Sequence, residues 1–152
     1  MSHALQINAD MTVASVELPD EPALRQRAIA ARLSGAADQA VYHRQALMWV
    51  HGNGAREGLP ANLVATAVAS AWRGLDVGAS YFLHGRVLVT GAANGDAGPL
   101  EEKLVGQVCA VAAAVTAQMA AFRTSPPASN EAAWGAIVQR AFEAVASLKS
   151  PA

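Results

Sequence analysis

Leu104–Phe122 reads LVGQVCAVAAAVTAQMAAF, nineteen residues without a single charge. Leu104, Val108, Val111, Val115, Met119 and Phe122 step by three or four, so on a helix they form one bulky apolar stripe. The far side of the same helix carries Gly106, Ala110, Ala113, Ala114, Ala117, Ala120 and Ala121. A surface helix would place Lys, Glu or Arg there. A helix that is apolar all round is normally buried all round. The expected fold class is therefore all-α: a compact helical bundle of about five or six helices around a buried Ala-rich helix at residues 99–123.

Working outward, Pro99 suits the first helical position and Glu101 and Glu102 complement the positive end of the helix dipole. Downstream, Thr124–Asn130 contains two prolines and forms a stiff turn, after which Ser129 or Asn130 caps a last helix. There Trp134, Val138, Ala141, Val145 and Leu148 repeat at coiled-coil spacing, which predicts a C-terminal antiparallel helical hairpin with the central helix. Upstream, Gly91–Gly98 is a loop, and Arg86–Thr90 (RVLVT) is β-like in composition. Residues 85–93 fit helix, strand or loop.

Leu59-Pro60-Ala61 opens another helix, with Leu63, Ala67, Ala71 and Leu75 along one side and Val64, Val68 and Trp72 widening it. A further helix is expected over 36–51, ended by the glycines of 52–58. The first helix starts near Pro22 with Asp20 as its cap and Leu24, Ala28 or Ile29, and Leu33 facing inward. Residues 1–19 read as a loosely ordered N-terminal segment, and residues 20–152 as a single helical domain. No internal repeat of solenoid period is present.

Composition supports helices: hydrophobic residues make up 53% of 152, but alanine supplies much of that and aromatics are only 5%. Alanine is the best helix former and lets helix axes approach closely. The formal net charge is −1 without a run of one sign, which argues against a nucleic-acid partner. Cys109 has no partner cysteine and reads as a small core residue in a reducing compartment. The N-terminus lacks the basic and apolar regions of a secretory signal, so a cytoplasmic location is expected. The uncharged stretch is long enough to span a bilayer, but its alanines and its Gln107, Thr116 and Gln118 weaken insertion.

No catalytic or metal-binding motif is visible: G-x-S-x-G, H-E-x-x-H, a phosphate-binding Gly loop and C-x-x-C are all missing. No catalytic residue, metal ligand or cofactor is assigned. His51 and His84 each precede a glycine near an expected helix end, where an imidazole serves free carbonyls. Trp49 and Trp72 read as bulky plugs between Ala-rich helices. Arg73 and Asp76, three apart, suit a surface ion pair.

These features favour a small bacterial-type helical protein working by protein–protein contact, as an adaptor, chaperone-like or regulatory partner. Its partner is another protein or a second copy of itself, with Ala110, Ala113, Ala114, Ala117 and Ala121 as the flat interface of a homodimer. The alternative is a small-molecule-binding protein or enzyme with an inter-helical pocket near Trp49, Trp72, Arg73, His51 and His84. A membrane-associated helical protein is the second alternative.

Overall fold

In the first half of the chain, tracts expected to be loose or helical are strands. The computed structural model describes residues 1–149; the last three residues of the expected 20–152 domain lie outside them. Where the sequence predicts a loosely ordered segment over 1–19, β1 (Ser2–Ile7) and β2 (Val13–Leu18) form an antiparallel hairpin. Where it predicts a helix over 36–51, β3 (Ala37–His43) and β4 (Ala46–His51) form a second hairpin. β5 (Val87–Ala93) lies between the two hairpins, antiparallel to both β1 and β4. β6 (Asp96–Gly98) pairs with the distal part of β5.

The result is a six-stranded antiparallel sheet in the order β2-β1-β5-β4-β3, with β6 against β5. It carries α1 (Pro22–Leu33), α2 (Leu63–Arg73), α3 (Glu102–Ala121) and α4 (Asn130–Lys149). The expected all-α helical bundle is thus overturned by the sheet. Ala46, Met48, Val87 and Val89 share a core with α2, whereas Leu47, Trp49 and Leu88 share one with Ile29 and Leu33 of α1. Because both faces of β4 and β5 are covered, their apolar residues run on without alternation, and such a run has no period that separates strand from helix.

On the first face, α1 begins at Glu21, whose carboxylate accepts from the backbone N–H groups of Ala23 and Leu24. Asp20, expected as the cap, binds the N-terminal amine at 2.6 Å and the Ser2 hydroxyl at 2.9 Å. Leu24, expected to face inward, is exposed, and Arg25 is buried in its stead. Arg25 donates to the Asp20 carbonyl and to Asp96 of β6, both at 2.8 Å, tying the helix to the sheet.

On the second face, α2 is the buried helix: every residue from Val64 to Ala71 is buried. Its polar groups are served locally. Asn62, itself fully buried, caps Ala65 N–H and donates to the carbonyls of Ile7 and Gly85. Thr66 donates to the Asn62 carbonyl and accepts from Leu83 N–H, and Ser70 donates to the Thr66 carbonyl and accepts from Val77 N–H.

α3 and α4 pack on each other and on α2. Leu104, Val108, Val111 and Val115 face inward and are fully buried. Gly106, Cys109, Ala113, Thr116, Ala117, Ala120 and Ala121 are exposed. Residues 99–123 are therefore not the central buried helix, and Cys109 is not a core residue. The reason is layering: neighbours cover one side of α3, and nothing described covers the other.

Candidate functional site

The five residues expected to line one pocket are distributed over both faces of the sheet. Trp49 lies on the α1 face, donating its indole N–H to Thr90 Oγ1 at 3.0 Å. Trp72, on the opposite face, donates to Gln107 Oε1 at 2.9 Å and tilts against the His43 ring at 5.3 Å. Only His51 and His84 share a groove, along the loop of residues 52–56.

Neither histidine is poised as a general base with a nucleophile. Asn53 N–H donates to His51 Nδ1 at 3.0 Å, so the neutral ring carries its proton on Nε2, facing Glu57 at 3.3 Å. Both nitrogens of His51 are thus engaged, and the imidazole rests against Gly35, where an added Cβ would run into the ring. His84 faces the Leu59 carbonyl through Nδ1 at 2.9 Å; a carbonyl can only accept, so that nitrogen holds the proton. A second opening of about 470 Å³ flanks His51 between the β1–β2 turn and the end of α1, with Asp10, Glu57 and Arg86 in its walls. Its acids and bases alternate in sign and single out no ligand charge. Among the described residues, no group of three or more His, Cys, Asp or Glu stands ready to hold a metal ion.

Arg73 has a different setting from the one its sequence neighbours suggest. Asp76, expected as its ion-pair partner, accepts from Trp134 Nε1 at 2.8 Å and from Ala79 N–H at 3.2 Å. This fastens α4 to the short 3-10 turn Val77–Ala79, and Gly78 leaves no room for a Cβ beneath the Trp134 indole. Arg73 is left without a hydrogen bond or ion pair among the described residues. It stands at a cleft of about 340 Å³ between β3 and the end of α2, lined also by Val41, Tyr42, Leu75, Ser80 and Tyr81. The hydroxyls of Tyr42 and Tyr81 meet at 2.6 Å. Burial, and then this hydrogen bond, push the Tyr42 phenol well above its usual range, so it stays protonated, with Arg73 nearby pulling weakly the other way.

The sequence reading places Arg73 at a pocket but does not join Tyr42 to it, and thirty-nine residues separate Tyr42 from Tyr81. No spacing signal links them; only the fold does. Asp10, Glu57 and Arg86 around His51 escape notice for the same reason.

The alanine set Ala110, Ala113, Ala114, Ala117 and Ala121 lies along the outer side of α3. Ala113, Ala117 and Ala121 are exposed, and Ala110 and Ala114 are half-buried. Only 28% of the most apolar eighteen-residue window of α3 is buried, and its mean hydropathy is 1.6. By length and composition it is the one helix, among the described residues, apolar enough to cross a membrane. Charged side chains begin at its margins: Glu101, Glu102 and Lys103 at one end, Arg123 at the other, and Arg140 and Glu143 along α4.

No family model, no curated protein and no solved structure matches this chain.

Proposed function

We propose that this protein works by contact with a second copy of itself, through the outer side of α3, as a small adaptor or regulatory partner. The observation carrying this reading is the exposed, uncharged strip from Gly106 to Ala121, which leaves small side chains open to water over about four helical turns. Flat strips of small residues let two helices approach closely, and a two-fold axis makes one patch complementary to itself. An antiparallel crossing near Ala113 sets the acidic pair Glu101-Glu102 of one copy toward Arg123 of the other. The charged margins at Arg140 and Glu143 supply the polar rim that interfaces have around an apolar centre.

Area sets the expected strength. A twenty-residue helix is about 30 Å long, and α3 with its rim offers on the order of 600 Å² per copy, close to the lower limit for a specific dimer. Association is therefore expected to depend on concentration.

Sedimentation velocity over a dilution series tests this directly. The natural chain should shift from monomer to dimer, and the double variant Ala113→Lys, Ala117→Glu should stay monomeric with an unchanged circular dichroism spectrum. Cys109, on the same side, should be alkylated more slowly in the dimer. A chain that remains monomeric at every concentration, or that stays in solution only with detergent, overturns the reading.

A further inference from the structure

We infer that the cleft between edge strand β3 and the end of α2 binds a small carboxylate with a short apolar body. Three of the six large hydrophobic residues exposed in the described chain, Val41, Leu75 and Tyr81, meet at this one cleft. Beside them is Arg73, whose expected partner Asp76 is held by Trp134 and the Ala79 N–H.

The tyrosine pair adds a donor of defined direction. One hydroxyl must donate to the other, and the acceptor's own proton is then left over. Tyr42 is 9% exposed and Tyr81 is 50% exposed. Leaving the spare proton on buried Tyr42 would strand a donor away from water, which is costly. Tyr42 therefore donates, and the spare O–H belongs to Tyr81 at the mouth of the cleft. Arg73, Tyr81 and the Ser80 hydroxyl present donors, and no acidic side chain lines the cleft. A planar guanidinium matches a carboxylate through two parallel hydrogen bonds.

One guanidinium beside apolar walls suits a monoanion with an apolar body; a phosphate dianion would need more donors. The volume of about 340 Å³ lies at the small end of the range for small-molecule sites. A peptide added as a strand is disfavoured, because the β3–β4 register shifts between Ala40 and His43 and interrupts the edge.

The test is a methyl- and nitrogen-resolved NMR titration of the full chain with isovalerate, with isoamyl alcohol and inorganic phosphate as separate arms. Isovalerate should shift the Leu75 and Val41 methyls and the Arg73 Nε–H along one saturating curve. Arg73→Gln should weaken binding about tenfold or more, and Arg73→Lys less, since it keeps the charge and loses the fork. Both variants should leave the remaining spectrum unchanged, because Arg73 is exposed. The inference fails if isovalerate gives no saturating shift, if the alcohol binds as well as the acid, if Arg73→Gln binds equally well, or if phosphate binds more tightly than isovalerate.

Discussion

α2 and α3 are both alanine-rich helices with scarcely a charge between them, yet one is enclosed and the other lies open along half its circumference. α2 is short, with eleven residues, and α3 is nearly twice as long. What separates them is how their polar atoms are used. In α2, the hydroxyls of Thr66 and Ser70 and the amide of Asn62 each serve a specific backbone group of a neighbouring segment. In α3, the buried Gln107 on the inner side accepts from Trp72 Nε1, while Thr116 on the outer side stands among alanines. A missing charge permits burial; it does not bring a neighbour to cover the helix.

The sharpest way to break this comparison is to place one charge at the middle of each helix. Ala67→Asp sets a carboxylate in the fully buried core between α2 and the sheet, and should cost about 3 kcal/mol or more. Ala113→Asp in α3 should cost less than about 1 kcal/mol in the monomer. Urea denaturation monitored by circular dichroism measures both, and equal costs would refute the assigned layering.

A smaller effect is expected from the hydroxyls. Ser70→Ala strands the Val77 N–H in a buried site and should destabilise by about 1–3 kcal/mol. Thr116→Ala, on the open side of α3, should stay within about 0.5 kcal/mol. A loss at Thr116 as large as at Ser70 would mean that α3 is covered in solution even at the lowest concentration.

The mildest probe is His43, whose ring meets Trp72 at the end of α2. Burial first, then the positive charges of Lys149, Lys103 and Arg44, hold its pKa below the ordinary 6.5, with Glu101 opposing. Gln45 N–H also donates to its Nδ1 at 3.0 Å, which requires a bare nitrogen there. A lowered histidine pKa means that the folded state favours the neutral ring. The associated stability is complete above 6.5 and is lost as pH falls through the folded value. Melting temperature measured from about pH 8 to about pH 5 should show this component, and His43→Gln should remove it. An unchanged profile in that variant would place the drop elsewhere.

The same contrast explains which parts of the molecule were legible. The expected helix over 99–123 lies at Glu102–Ala121, and its inward stripe of Leu104, Val108, Val111 and Val115 is readable because period and face are local properties. The Ala36–His51 tract is not readable in that way. Ala46, Leu47, Met48 and Trp49 are all buried, so the period of two is erased by cover on both sides. β1 was invisible for another reason: beside its hairpin with β2, its place inside the sheet comes from pairing with β5, eighty or more residues away. At the cleft, Arg73 stood out as a cation, while its release from Asp76 depends on Trp134, fifty-eight residues beyond that aspartate.

Local chemistry alone was enough to set the two long C-terminal helices, the glycine-rich break at 52–58, the uncharged stretch of residues 104–122 and the presence of an arginine beside aromatic residues, whereas the loop expected over 91–98 is the β5–β6 hairpin. Only the folded chain decided that the strands within residues 2–18, 37–51 and 87–98 join in one sheet, that α2 is enclosed in place of α3, and which residues gather around Arg73. The division follows from range. Helical period and capping act within a few residues, whereas strand pairing, burial and the sharing of a partner join residues that the chain keeps far apart.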